Sequence, residues 1–83
     1  MTETKEQFRE RISQYTEAQL LAEIDTLRET LKENHTAMDQ ELLKFKNSGN
    51  KAAGRRARKH LQMIKDVAQD IRLLIQEAKN KKK

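Results

Sequence analysis

Asn47-Ser48-Gly49-Asn50 is the only run in this chain of 83 residues that collects turn-forming side chains, and neither flanking stretch contains a proline. Gly49 is free to take positive φ, and Asn50 is suited to cap a helix that begins at Lys51. Upstream, Leu20, Ile24, Leu27, Leu31, His35, Met38, Leu42 and Phe45 recur at helical spacing, about 3.6 residues per turn. The consecutive steps of four around His35 interrupt a strict heptad and predict a local relaxation of any supercoil. Downstream, Ala57, Ile64, Ile71 and Ala78 form one seam and Ala53, His60, Val67 and Leu74 a second, with Leu61, Ala68 and Ile75 along a flank.

A turn centred on Gly49 sets Leu31 opposite Val67, Leu27 opposite Ile71, Ile24 opposite Leu74 and Leu20 opposite Ala78. Apolar meets apolar along the whole length, the signature of an antiparallel helical hairpin. Ahead of it, Thr4-Lys5-Glu6-Gln7 has the capping-box form and opens a segment with Phe8, Ile12 and Tyr15 on one face. Thr16-Glu17-Ala18-Gln19 repeats that form at the start of the long stripe. The expected fold is therefore all-α: one domain over 1–83, with a short helix over 4–14, an acidic helix over 16–46, a turn over 47–50, a basic helix over 51–79 and a cationic tail over 80–83. The hairpin is coiled-coil-like, and each arm of about 30 residues reaches roughly 45 Å. Two helices leave part of such a wide apolar face wet. The expectation is that two hairpins associate as a dimeric four-helix bundle.

The absence of cysteine excludes disulfides, thiolate metal sites and a cysteine nucleophile, and fits a cytoplasmic protein. No apolar run approaches the roughly 18 residues that span a bilayer, and residues 1–11 alternate acid and base where a signal peptide needs an apolar core. No glycine-rich phosphate loop and no conjunction of Ser, His and acid supports catalysis, so neither an enzyme nor a small-molecule substrate or cofactor is expected. His35 and His60 fall on facing stripes, but two ligands do not make a metal site.

Charge is divided unequally. Residues 1–43 hold 10 acids and 5 bases, whereas residues 44–83 hold 13 bases and 3 acids. Arg55, Arg56, Arg58 and Lys59 give the highest cation density, just beyond the turn. Lys51, Arg58, Lys65, Arg72 and Lys79 recur every seven residues, about 10 Å apart along one edge of the second helix. Such a row suits a polyanion with regularly spaced phosphates, onto which arginine forks. The competing explanation is a solvated face whose cations pair with Asp39, Glu41, Asp66 and Asp70. Only Asp66, Asp70 and Glu77 follow residue 43, too few to neutralise the row. The basic half has no aromatic residue beyond Phe45 on which to stack single-stranded bases, and no helix-turn-helix pattern is present. Contact with a duplex backbone, without sequence readout, is the remaining expectation; RNA stays open as the polyanion.

The segment Gly49-Asn50-Lys51-Ala52-Ala53-Gly54-Arg55-Arg56-Ala57-Arg58-Lys59, continuing into Ile64-Lys65 and Ile71-Arg72, resembles the chlamydial-type linker-histone-like family of bacterial nucleoid proteins. The resemblance covers about residues 45–75 and comes after an acidic amphipathic helix, as in that family. It implies DNA binding and compaction, with Lys51, Arg55, Arg56, Arg58 and Lys59 as contacting positions and Gly49, Asn50 and Gly54 as the turn that presents them. Lys65 and Arg72 extend the expected contact along the row. Members of that family carry a long Lys/Ala-rich tail where this sequence has three lysines, which shifts the expected mechanism toward bridging by a dimer. The rival expectation is a helical module for protein–protein interaction, whose charges serve solubility and partner choice.

Overall fold

The computed structural model describes residues 3–81 and contains three helices: α1 (Lys5–Ser13), α2 (Glu17–Ser48) and α3 (Lys51–Lys81). Both capping boxes form. Thr4 Oγ1 accepts from the Gln7 N–H at 3.1 Å while Gln7 Oε1 accepts from the Thr4 N–H at 2.9 Å, and Thr16 and Gln19 repeat the exchange at 3.2 and 2.8 Å. Each box satisfies two backbone donors at a helix start, which no intrahelical carbonyl reaches.

The turn is tighter than the expected span of 47–50. Asn47 and Ser48 continue α2, and the chain reverses at Gly49, in the left-handed region at φ 67° and ψ 23°, with its N–H on the Phe45 carbonyl at 2.8 Å. A single left-handed residue suffices to end the helix, so the two before it stay helical. Asn50 then caps α3, its Oδ1 accepting from the Ala53 N–H at 3.1 Å. Gly54 does not belong to the turn: it lies in α3, its N–H already bonded to the Asn50 carbonyl at 3.2 Å. At the far end α3 runs through Asn80 and Lys81, beyond the expected end at residue 79, and Lys81 Nζ donates to the Ser13 carbonyl at 3.1 Å. Lys82 and Lys83, the rest of the expected tail, lie outside the described residues.

α2 and α3 pack along their length into a rod of 52 × 23 × 16 Å. The α3 face is the one read from sequence. Ala53, Ala57, Val67, Leu74 and Ala78 are buried and His60, Ile64 and Ile71 half-buried, in steps of four and three throughout. On α2 the observed seam is Leu20, Ile24, Leu27, Leu31, Asn34, Met38, Glu41 and Phe45. It keeps the same alternation without a break, so the expected interruption at His35 does not occur. His35 and Leu42 lie one residue past seam positions, about 100° around the helix, and are exposed. A continuous 3.5-residue period holds one face toward the partner helix, and two polar residues enter the seam to preserve it.

The core is thick at the base and thin at the tip. At the base Phe8 and Ile12, one turn apart on α1, join Leu20, Leu74 and Ala78 in one buried cluster, with Tyr15, Ile24, Leu27 and Leu73 packed against it. Leu20 and Leu74 are fully buried, each contributing roughly 1.5–3 kcal/mol relative to exposure. α1 thus covers Leu73, which a two-helix hairpin alone would leave more exposed. Near the tip the buried α3 residues are Ala53 and Ala57, which let α2 approach closely. A Cβ built on Gly54 would sit 2.9 Å from Cδ1 of the Phe45 ring. Gly54 is therefore small because an aromatic ring lies over it.

Candidate nucleic-acid interface

The geometry of α3 separates its cations from its core. Arg58, Lys65, Arg72 and Lys79 each sit one residue past a seam position, Lys51 sits one heptad before Arg58, and all five are exposed. They form a row about 10 Å apart along the outer side of the rod. Arg55, Arg56 and Lys59 flank its first members. Ala52, Arg55, Arg56, Arg58, Lys59 and Gln62 line an open depression of about 610 Å³ on this outer face, near the tip.

Free and committed cations can be distinguished. Arg56 Nε lies 2.9 Å from Glu41 Oε2 on α2, and Lys44 Nζ lies 3.6 Å from Glu41 Oε1. The Glu41 side chain retains 14 % of its accessible surface. Burial pushes its carboxyl pKa up, but the hydrogen bond and charge of Arg56, aided by Lys44, outweigh that and hold it below the ordinary value. Lys51, Arg55, Arg58, Lys59, Lys65 and Arg72 have no ion pair among the described residues. The acids of α3 do not neutralise them: Asp70 pairs with Lys5 of α1 at 2.8 Å, and Asp66 accepts from Gln62 at 3.2 Å.

Two further contributions at the tip come from the reversal of the chain. Lys44 and Lys46 of α2 stand at the end of the hairpin from which Lys51 and Arg55 begin, so both arms add cations there. Folding the sequence about Gly49 brings these two lysines to the tip, where the charge pattern of the basic helix alone does not place them. The first turn of α3 also lacks an acidic residue, unlike those of α1 and α2, which carry Glu6 and Glu17. The partial positive charge at the α3 N-terminus thus adds to the field of the side chains instead of being offset.

The histidines do not face each other. His60 is half-buried in the seam with Nδ1 3.2 Å from Asn34 Oδ1, while His35 is exposed on the flank. Among the described residues no group of three or more potential ligands converges on a metal position. No helix among them is long and apolar enough to cross a membrane.

A family model described as histone H1-like protein Hc1 matches residues 25–81, which takes in most of α2 and all of α3. No curated protein and no solved structure gives a match to the chain.

Proposed function

From the premise that the chain belongs to the histone H1-like protein Hc1 family, we propose that it is a histone-like, nucleoid-associated protein that binds double-stranded DNA without sequence preference. The observation that carries this reading is the set of cations on the outer face of α3 that have no ion pair among the described residues: Lys51, Arg55, Arg58, Lys59, Lys65 and Arg72. Each is a candidate phosphate contact. Arg56 joins them only if it exchanges Glu41 for a phosphate. A rigid helix presenting cations at the tip and along one edge neutralises backbone charge and releases counterions, and that gain is indifferent to base sequence. The acidic α2 supports the reading from the other side, since it keeps the opposite face of the rod from gathering nucleic acid indiscriminately.

The test is the affinity for a labelled random duplex as a function of salt. Log affinity should fall linearly with log salt, with a slope near −0.9 for each phosphate contacted, and unrelated duplexes should bind alike. A flat salt dependence would overturn the proposal. Preference for an RNA duplex in the same titration would move the ligand, not the mechanism.

A second reading, self-association, is favoured by one observation. Leu21, Leu42, Leu61 and Ile75, each 40 to 47 % exposed, all lie one residue past the seam positions that precede a step of four (Leu20, Glu41, His60 and Leu74), whereas the cation row follows the seam positions that precede a step of three. In an antiparallel pair those positions share a flank, and α1 occupies the other, where it meets Asp70. Two hairpins joined through this open flank would form a four-helix bundle with basic tips available to bridge duplexes. Sedimentation equilibrium without DNA reads it directly, and a monomer at every concentration tested would exclude bridging by a preformed dimer.

A further inference from the structure

Beyond the tip, a second concentration of cations lies near the opposite end of the rod. Lys5 and Arg9 of α1 and Arg72 of α3 line a groove of about 420 Å³ together with Gln69, Leu73 and Gln76. We infer that this α1–α3 groove is a second phosphate-binding station for the same nucleic acid; the inference rests on the function proposed above.

Three observations support it. First, charge in the groove is only partly balanced. Lys5 is 2.8 Å from Asp70, but Arg9 and Arg72 carry no ion pair among the described residues, so two guanidinium groups line one groove unneutralised. Like charges held together at a surface repel, and a phosphate between them replaces that repulsion with two charge-assisted forks. Second, α1 treats its two arginines differently. Arg11 is committed to Glu3 at 3.0 and 3.1 Å, bonds the Tyr15 hydroxyl and stacks on the Phe8 ring. Arg9 is left open to the groove. Glu10 and Glu77 line the adjoining groove beyond Arg9, which bounds the cationic area on that side.

Third, the groove is in line with the tip. Arg72 belongs to the seven-residue row and lies 14 residues after Arg58, about 21 Å along α3. At about 3.4 Å per nucleotide step that separation spans about six base pairs, so one duplex lying along α3 meets both stations. Gln69 and Gln76 also repeat the seven-residue interval, after Gln62 at the tip, and add neutral amide donors along the same side. Lys5 and Arg9 fall outside the matched residues 25–81, so α1 adds contacts to those of the family-matched hairpin.

The full chain and a labelled random duplex test the inference. Arg9→Gln should reduce the magnitude of the log–log salt slope by about 0.9 and weaken binding about fivefold at about 0.15 M salt; Arg9→Gln with Arg72→Gln should double the slope change and weaken binding about thirtyfold. Arg9→Lys should restore most of the affinity. As a control for net charge, Arg28→Gln with Lys32→Gln removes two exposed cations from α2 and should leave the slope unchanged. Thermal melting keeps a folding defect from passing as weakened binding. A folded Arg9→Gln variant with the wild-type slope overturns the groove and leaves the proposed function standing, whereas a wild-type protein with no salt-dependent binding overturns both.

Discussion

Arg56 donates across the hairpin from Nε to Glu41 Oε2 at 2.9 Å, while its neighbours Arg55, Arg58 and Lys59 face outward without an ion pair among the described residues. The densest cationic cluster of the chain is thus divided between one residue that ties α3 to α2 and three that are available to a ligand.

That division gives a first prediction. Arg55→Ala, Arg58→Ala and Lys59→Ala together should lower affinity for random duplex by about two orders of magnitude at about 0.15 M salt, with the slope falling by about 0.9 for each phosphate no longer neutralised. Their melting temperature should stay at the wild-type value. Arg56→Ala should do the reverse, lowering the melting temperature with a slope change well short of that for one phosphate. Anisotropy titrations and thermal denaturation of the two variants separate these roles; equal slope changes would refute the division.

The same ion pair makes stability depend on pH in a defined direction. Because the Glu41 carboxyl is held below its ordinary value of 4.5, its contribution is fully present above that value and is lost as pH falls through the lower, folded value. Glu41→Gln removes the titration. The melting-temperature advantage of the wild type over this variant should therefore be constant from neutral pH down to about 5 and shrink below about 4.5. An advantage that grew on acidification would reverse the sign and exclude the mechanism.

Much of this arrangement was legible in the sequence because it is local. Thr4 with Gln7, Thr16 with Gln19, and Gly49 with Asn50 lie within four residues of their partners, so side-chain chemistry alone marked the helix ends. The α3 seam was legible because its apolar residues keep the period. On α2 polarity misled: His35 and Leu42 are the more apolar choices, yet Asn34 and Glu41 occupy the seam, because the uninterrupted period outweighs the composition of two positions. The commitment of Arg56, the place of Gly54 under Phe45 and the Lys5–Asp70 bridge depend on how the helices meet. No local pattern in the chain encodes them.

Asn34 and His60 lend themselves to a test of what polar seam residues do. Their hydrogen bond at 3.2 Å spans two half-buried positions, and Asn34 Nδ2 also donates to the Thr30 carbonyl at 2.9 Å. Asn34→Leu leaves His60 Nδ1 without that partner, at a cost of about 1–3 kcal/mol set against the added apolar contact. Asn34→Leu with His60→Leu removes both polar groups and should melt above the wild type. If the two substitutions are additive, the pair is not coupled and the polar seam does not act as a unit.

Gly54 and Phe45 supply the last prediction, one that turns on packing alone. Alanine is favoured over glycine in a helix interior by about 1 kcal/mol, so Gly54→Ala gains on backbone grounds. The new methyl would lie 2.9 Å from Phe45 Cδ1, and the ring, 46 % exposed, must swing toward solvent to admit it. The packing that the ring gives up as it swings offsets the helical gain. With Phe45→Ala nothing opposes the methyl, and Gly54→Ala should then stabilise by about the full 1 kcal/mol. A double-mutant cycle by chemical denaturation should therefore give Gly54→Ala a smaller benefit, or a net loss, in the wild-type background. Equal effects in both backgrounds would mean that the ring does not require the glycine, and the close approach of α2 to α3 at the tip would need another cause.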